Sequence, residues 1–301
     1  PNNFSLNNIF KISQIDKVFN LFRFNEKNKI KKTLKEIDRR EGLIYMDGAN
    51  YNNTQELYSL KLKKKLLPII IDETRKFDTD DLNNDKINIS YVGRISDFKY
   101  FPLLKLIEQI DVLVLNKKID VEFFVIGDGE FKETLIERTT RISFKINFIG
   151  SVDNKNLLRT LCKYKININF AMGTSVLDSA FVGIPSVVLN FFYENMKNTP
   201  KYQWIYEETD FSVGKELFKD DFTIENFSSL EKIFHDLINN NKIVVNKTKD
   251  FYKNNYNVFK VINQFINFLN ISNLQYKHVQ HIHKKGTVRK IYNYINSFIW
   301  K

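Results

Sequence analysis

One short segment of the chain contains residue types that suit the binding of an anion and of hydroxyl groups. These residues are Gly173, Thr174, Ser175 and Asp178. The segment is typical of a helix start, where the first amides lack intrahelical partners and the helix dipole is positive. We therefore predict that the three amides of Gly173–Ser175 are free to bind phosphate. Asp178, one turn further on, can accept hydrogen bonds from sugar hydroxyls. The alternative for Asp178 is an acid that only stabilises the helix dipole.

Two cations follow a buried apolar segment that ends at Gly93. Arg94 comes directly after this glycine, and Lys99 lies five residues further along. Arginine suits bidentate phosphate contact, and a second cation would add to the electrostatic stabilisation of a bound anion. A solvated pair of cations after a strand is the alternative.

Two further turns follow apolar segments. Gly127-Asp128-Gly129 indicates a tight turn, in which Asp128 is a candidate ligand contact and the turn alone is the alternative. Ile149 and Val152 flank the next glycine and could offer backbone groups to a ligand, although strand packing explains them almost as well.

Buried strands alternate with helices from residue 87 onward, which predicts a doubly wound parallel sheet of the α/β class. We predict helices at Phe101–Leu115, Phe131–Thr140, Asn154–Tyr164, Ser175–Val182, Ile224–Asn239 and Phe251–Leu269. We predict strands at Ile87–Val92, Val121–Ile126, Ile146–Ile149, Ile166–Ala171 and Ser186–Asn190, with a short one at Phe211–Gly214. Before residue 87, strands are predicted at Leu43–Met46 and Leu67–Ile71.

Charge is distributed unevenly along the 301 residues. The net charge is +11, yet residues 251–301 hold eight Lys or Arg and no acid, so residues 1–250 contribute only +3. This distribution argues against a nucleic-acid-binding surface. The basic tail also contains Tyr292, Tyr294, Phe298 and Trp300, which suits either an anionic membrane surface or a solvated face at a domain junction.

The other candidate residues give weaker indications of a functional site. Asp47, before Gly48, could be a general base, with an Asp-Gly turn as the favoured alternative. His278, His281 and His283 do not share a helical face, so we expect no metal. A single cysteine, Cys162, rules out an internal disulfide. No apolar segment is long enough to span a membrane, and the N-terminus does not resemble a signal peptide, so a cytoplasmic protein is expected.

The segment from Gly173 to Leu189 resembles the donor-binding motif of GT-B glycosyltransferases, especially the large retaining family that uses nucleotide sugars. That motif contains Glu, seven residues and a second Glu, followed by Ala and Gly-x-Pro. Here the second acid falls on Asp178 and the first on Phe170, which has no carboxylate, while Gly183-Ile184-Pro185 supplies the last part. Gly93, Arg94 and Lys99 resemble the family's diphosphate site, and the stretch holding Ile149 and Val152 resembles the one beside its base.

The resemblance implies a Rossmann-like donor domain at residues 87–250, a reduced or partial N-terminal acceptor-side region at 1–86 and a C-terminal helical tail at 251–301. It implies transfer of a hexose from a nucleotide-diphosphate sugar to the hydroxyl of a glycan or lipid-linked acceptor, with retention, in bacterial surface glycan synthesis. No cofactor or metal is implied. The alternative is a degenerate, non-catalytic domain that binds a partner, which Phe170 and the short N-terminal region favour.

Overall fold

A six-stranded sheet in the order β3-β2-β1-β4-β5-β6 organises the computed structural model, which describes residues 27–71, 86–194, 200–217 and 227–280. The first five strands are parallel, and β6 pairs antiparallel with β5. The strands are β1 (Ile87–Val92), β2 (Val121–Ile126), β3 (Lys145–Gly150), β4 (Ile168–Ala171), β5 (Ser186–Val188) and β6 (Gln203–Trp204).

Helices connect these strands and flank them. They are α1 (residues 27–39), α2 (Gly48–Tyr58), α3 (Asp97–Lys117), α4 (Lys132–Arg138), α5 (Asn154–Lys163), α6 (Thr174–Phe181), α7 (Leu230–Asn239), α8 (Asn241–Asn255), α9 (Val258–Ile271) and α10 (Tyr276–Val279). A 3₁₀ turn, Ile205–Glu207, follows β6. None of the described helices is both long and apolar enough to cross a bilayer.

The sheet is covered on both faces, which confirms the doubly wound fold. One apolar cluster joins α3, α4 and α7 to the sheet side that holds Tyr91, Phe170 and Val187. The opposite cluster joins α5, α6 and α8 to the side that holds Val92 and Ala171. Because successive strand residues point to opposite faces, these near-continuous apolar strands supply both clusters at once.

The end of α6 explains the Gly-Ile-Pro signal in the sequence. Gly183 has a φ of +82°, and its amide donates to the carbonyl of Ala180 at 3.0 Å. The amide of Ile184 donates to the carbonyl of Ser179 at 3.0 Å, so the two bonds form a Schellman motif. Pro185 then prevents the helix from continuing and leads the chain into β5.

A row of buried polar side chains crosses the sheet beneath α6. Ser90, Asn169 and Ser186 are direct neighbours on β1, β4 and β5, and Ser179 of α6 lies against them. The Ser90 hydroxyl donates to Asn169 Oδ1 (2.7 Å), and Asn169 Nδ2 donates to Ser179 Oγ (2.9 Å). Ser186 Oγ donates to the carbonyl of Ile184 (2.7 Å), and Ser179 Oγ, which lies 3.0 Å from the carbonyl oxygen of Val176, is hydrogen-bonded to Ser186 Oγ at 2.8 Å. All four residues are fully buried, and together they join three strands to one helix.

The chain divides into two compact units. The larger comprises residues 46–49 and the described residues from 66 to 263, and therefore contains the whole sheet. The smaller comprises, among the described residues, 27–45, 50–65 and 264–280. Within this smaller unit the carbonyl of Arg40 accepts bonds from the Asn273 amide (3.1 Å) and the Ser272 hydroxyl (3.3 Å), so early and late segments of the chain meet. The roles assigned above to segments 1–86, 87–250 and 251–301 stay predictions.

Several predicted elements differ from the observed ones. Leu43–Met46 and Leu67–Ile71 are not strands. The Tyr45 amide donates to the Lys65 carbonyl, but the described residues here form an isolated bridge and not a continuous ladder. Phe211–Gly214 is also not a strand, since Asp210 and Phe211 both have positive φ and turn the chain. The predicted helix Phe251–Leu269 is broken at Tyr256, which is buried between α8 and α9.

Two predicted elements extend beyond the described residues. The helix predicted over Ile224–Asn239 is observed as α7, and its first residues lie outside the described part of the chain. The tail predicted to hold Tyr292–Trp300 lies outside it as well, as do His281 and His283.

Glu208 is an acid in an unfavourable setting, just after the 3₁₀ turn. Its Oε1 atom is shut off from solvent and has no hydrogen-bond partner among the described residues. Burial raises the pKa of its carboxyl to about 7, and the neighbouring Glu207 adds to the shift while Lys215 opposes it. The folded state therefore disfavours the charged form of this group.

We expect Asn169→Ala to destabilise the larger unit, because it leaves the buried Ser90 hydroxyl without its acceptor and removes the bond that Ser179 Oγ accepts. The expected loss in the free energy of unfolding is about 3 kcal/mol. Urea unfolding would measure it against Asn246→Ala, which removes an exposed side chain from α8. Equal losses in the two variants would show that the buried row contributes little.

We expect Glu208→Gln to stabilise the protein at pH 8 and not at pH 4. In the wild type the contribution of this carboxyl to stability is fully present below its ordinary pKa of 4.5, where the group is protonated in both the folded and the unfolded state. That contribution is lost as the pH rises through about 7, because the buried group must then become charged. The difference at pH 8 should be about 2 kcal/mol, less than the full shift implies because the residue is only partly buried. Thermal unfolding across this pH range would measure it, with the exposed Glu130→Gln as control. A gain that did not depend on pH would contradict the assignment.

Candidate functional site

The sheet order creates a crevice between the ends of β1 and β4. These strands are neighbours, with Val92 opposite Ala171, yet the helices that follow them pack on opposite faces of the sheet. In doubly wound sheets, ligands bind at such a switch point, outside the carboxyl ends of the strands. The candidate ligand-binding residues predicted between positions 93 and 178 follow β1, β2 or β4, or lie at the end of β3 and just after it, so the topology brings them to this edge.

Gly93, Arg94 and Lys99 lie together at the end of β1. The hydroxyl of the buried Tyr91 donates to the carbonyl of Arg94 at 2.9 Å and so holds this turn from below. Lys99 Nζ is 3.5 Å from the position that a Cβ on Gly93 would occupy. Partial burial, helped by the nearby charge of Arg94, lowers the pKa of the Lys99 ammonium.

The two cations are not neutralised by acids. Within the described residues, no carboxylate forms an ion pair with Arg94 or Lys99, whereas nearby Lys132 is paired with Asp128. Lys99 instead lies 5.5 Å from the centroid of the Phe98 ring. Two adjacent cations without an anion raise each other's energy, and an anion bound between them would lower it.

Glycines bring the turns after β1 and β2 into direct contact. A Cβ on Gly127 would lie 1.9 Å from the carbonyl oxygen of Gly93, and one on Gly129 would lie 2.4 Å from that of Ile95. The Ile95 amide also donates to the carbonyl of Asp128 at 2.9 Å. The Gly-Asp-Gly sequence is therefore explained by close backbone approach, which supports the turn that carries Arg94.

The side chain of Asp128 takes part in the turn itself. Its Oδ1 accepts from the Gly129 amide (2.8 Å), and its Oδ2 lies 3.3 Å from Lys132 Nζ. These two contacts lower the pKa of its carboxyl. Ile149 and Val152 are half-buried against the α5 and α6 side of the core.

The N-terminus of α6 differs from the prediction in one respect. The Gly173 amide is not free, because it donates to the carbonyl of Val213 at 2.7 Å. Gly173 has a φ of +70°, and the space beside its Cα is open. Among the described residues, no hydrogen bond engages the amides of Thr174 and Ser175. The predicted set of three donors therefore reduces to two.

The two positions of the acidic motif lie in different surroundings. Asp178, on α6, is 6% exposed, so only an edge of this residue reaches solvent. Phe170 is fully buried on the opposite side of the sheet, in an edge-to-face contact with Tyr202 at 5.7 Å. A carboxylate at position 170 would enter the apolar core beside Tyr91 and Val187, which explains why an aromatic residue stands there.

Other candidates lie apart from this edge or are buried. Asp47 is buried in the larger unit. Its charge acts on the phenol of Tyr256, whose pKa is raised mainly by burial and further by the charges of Glu208 and Asp47. Among the described residues, no group of three His, Cys, Asp or Glu is arranged to hold a metal ion. An open hollow of about 550 Å³ lies along α3 and α7, and its lining contains none of the predicted site residues.

Sequence reasoning did not identify Tyr91 or Asn169 as residues that position this edge. Both lie within strands, where an apolar run hides a single polar atom. A polar side chain at the same register of adjacent strands, as with Ser90, Asn169 and Ser186, is a signal that appears only once the pairing is known.

Comparison with known proteins supports the fold. No protein-family profile and no curated protein matches the sequence. Among solved structures, a mutant form of S. aureus TarM in complex with fondaparinux, alpha-GlcNAc-glycerol and UDP is similar, with a TM-score of 0.52 and 13% identity over 80% of this chain. Another TarM structure has a TM-score of 0.52 and 14% identity. The lipopolysaccharide outer core galactosyltransferase WaaB has a TM-score of 0.46 and 12% identity over 75% of this chain and 61% of its own.

The chain spans 46% of the length of TarM, so the likeness concerns part of that protein. At this low identity it establishes architecture, and it agrees with the sheet order and the two-sided helix packing described above. The chain has the Rossmann-like α/β fold of GT-B glycosyltransferases.

Proposed function

We propose that this protein transfers a glycosyl group from a nucleotide-diphosphate sugar to an acceptor hydroxyl. The observation that carries the proposal is the pair of cations at the switch point of a doubly wound sheet, Arg94 and Lys99, which have no acidic partner in the described part of the chain. A diphosphate has the charge to neutralise both. The amides of Thr174 and Ser175 follow the adjacent strand and supply two further donors.

In this proposal the cations act on the leaving group. When the bond from the sugar C1 to the diphosphate oxygen breaks, the oxygen keeps the electron pair and its charge grows. Arg94 and Lys99 stabilise that charge, and their positive charge is present before the reaction begins. The acceptor hydroxyl forms the new bond to C1, and its proton passes to the departing diphosphate oxygen. These two side chains neutralise the diphosphate, so we propose no metal.

The remaining site residues would hold the nucleoside. Asp178 accepts hydrogen bonds from the ribose through its exposed edge, and the backbone near Ile149 and Val152 contacts the base. Asp128 lies at the mouth of the site as a weaker contact. A hexose donor, retention at C1 and an acceptor in bacterial surface glycan synthesis follow from the resemblance in the sequence. The solved TarM complex contains UDP and alpha-GlcNAc-glycerol, which is consistent with this class of substrate.

A non-catalytic binding role is the second candidate. Phe170 favours it, because the structure buries this residue and leaves the sugar-facing acid of the motif without an equivalent at that position. Nucleotide-sugar binding without turnover by the complete protein would support the binding role, whereas turnover of any donor would exclude it.

We expect Arg94→Ala to weaken nucleotide binding about 30-fold, the loss of one charge-assisted phosphate contact. Calorimetry with UDP, GDP, ADP and their sugars would measure it, with Arg138→Ala, an exposed arginine of α4, as control. Affinity should also fall as the pH rises, and at a lower pH than an ordinary lysine would cause, because the pKa of Lys99 is lowered. Lys99→Ala should flatten that dependence. No binding across the panel would contradict the donor site.

We further propose that the protein associates with anionic membrane surfaces. Residues 251–301 carry eight basic residues and no acid. Within that segment, α9 exposes an apolar stripe that comprises Phe259, Ile262, Phe265, Ile266 and Leu269. A segment of the chain that combines basic charge with an exposed apolar helix face suits an anionic lipid surface.

Vesicle flotation tests the membrane proposal. We expect the protein to float with vesicles that contain phosphatidylglycerol and to stay behind with phosphatidylcholine alone. The double variant Phe259→Asn and Ile266→Asn should lose flotation, whereas Ile243→Asn on α8, also exposed, should retain it. Equal flotation of all three proteins, or none by the wild type, would refute the association.

A further inference from the structure

Three aromatic rings cluster beside the cation pair at the edge of the sheet. Phe98 contacts Phe191 with ring centroids 5.3 Å apart, and Tyr193 lies 6.3 Å from Phe98 and 6.1 Å from Phe191. We propose that this aromatic cluster binds the pyranose ring of the donor by stacking against its C–H face. The inference rests on the function proposed above and adds to it the part of the site that recognises the sugar.

The cluster is continuous with the diphosphate site. Phe98 is the second residue of α3 and precedes Lys99, whose Nζ lies 5.5 Å from the Phe98 ring centroid. Phe191 and Tyr193 follow β5, whose carboxyl end lies at the same edge of the sheet as that of β1. A group attached to a phosphate held by Lys99 would therefore lie next to these rings.

The order of the strands favours the sugar over the base as the occupant. The diphosphate would lie between β1 and β4. The residues that resemble the base site lie on one side of it, Ile149 near the end of β3 and Val152 just after that strand. The aromatic cluster follows β5 on the other side of that crevice. A nucleotide sugar carries its base and its sugar on opposite ends of the diphosphate, so a base toward β3 places the sugar toward β5.

The three rings of the aromatic cluster are held in place by the core and are also open to a ligand. Phe98 and Phe191 are half-buried against the core, which holds them in place, while Tyr193 is 52% exposed. The π face of an aromatic ring is negative, and the C–H groups on one face of a pyranose are apolar and weakly positive. Stacking also gives this chain a way to hold a sugar without the acid that Phe170 replaces.

Saturation-transfer NMR on the full chain distinguishes the sugar from the nucleoside. The probes are UDP-glucose, UDP-N-acetylglucosamine and GDP-mannose, and the readout is the saturation of hexose protons relative to base protons. In the wild type both sets should be saturated. In Tyr193→Ala the ratio of hexose to base saturation should fall about fivefold, the effect of losing one ring contact.

Three further variants test whether the aromatic ring itself is responsible for the change in the saturation ratio. Tyr193→Phe keeps the ring and should keep the ratio, and Phe98→Leu keeps apolar volume without a ring and should lower it. Tyr276→Ala removes an exposed tyrosine of α10 and should change nothing. An unchanged ratio in Tyr193→Ala and Phe98→Leu, with base protons still saturated, would overturn the aromatic site alone. No saturation of any probe by the wild type would overturn the donor site and this inference together.

Discussion

The buried row of Ser90, Asn169, Ser186 and Ser179 is the constraint on which the candidate site depends. It joins β1, β4 and β5 to α6 within the buried core, where each donor has an acceptor. In a low dielectric such a chain has few alternative arrangements, because an unmatched hydroxyl or amide would be costly. The position of α6, and with it the amides of Thr174 and Ser175, is therefore set by hydrogen bonds and not only by apolar packing.

Backbone contact provides a second constraint at the same edge. Gly127 and Gly129 allow the turns after β1 and β2 to touch, and Tyr91 supports the Arg94 carbonyl from within the core. These contacts hold the two cations in a turn that is braced from two sides. This arrangement disfavours the charged form of Lys99, whose pKa is lowered because the ammonium is partly desolvated and lies near the like charge of Arg94. A bound dianion would favour the charged form of Lys99 again. The two cations have no acidic partner among the described residues, so they remain available to bind such a ligand.

The two faces of the sheet have different parts in the site that we propose. The α6 face carries the polar row, the amides and Asp178, all suited to the nucleotide. The α3 face carries an apolar row through Tyr91, Phe170 and Val187 and ends at the edge in the aromatic cluster. The same residue, Phe170, therefore removes an acid from the motif and extends the apolar core toward the rings. Binding of a sugar by stacking is a consistent outcome of that replacement.

Local patterns in the sequence are enough to establish the class of the fold, because apolar strands and amphipathic helices can be identified without knowledge of their partners. They also establish the end of α6, since Gly183 and Pro185 restrict the backbone directly. Other features depend on contacts between segments that are far apart in the chain. The Gly173 amide is taken by the carbonyl of Val213, and the Arg40 carbonyl bonds to residues near position 272. Such bonds leave no periodic signal, and the burial of a lone polar or charged side chain such as Asn169 or Glu208 depends on which neighbours the fold brings to it.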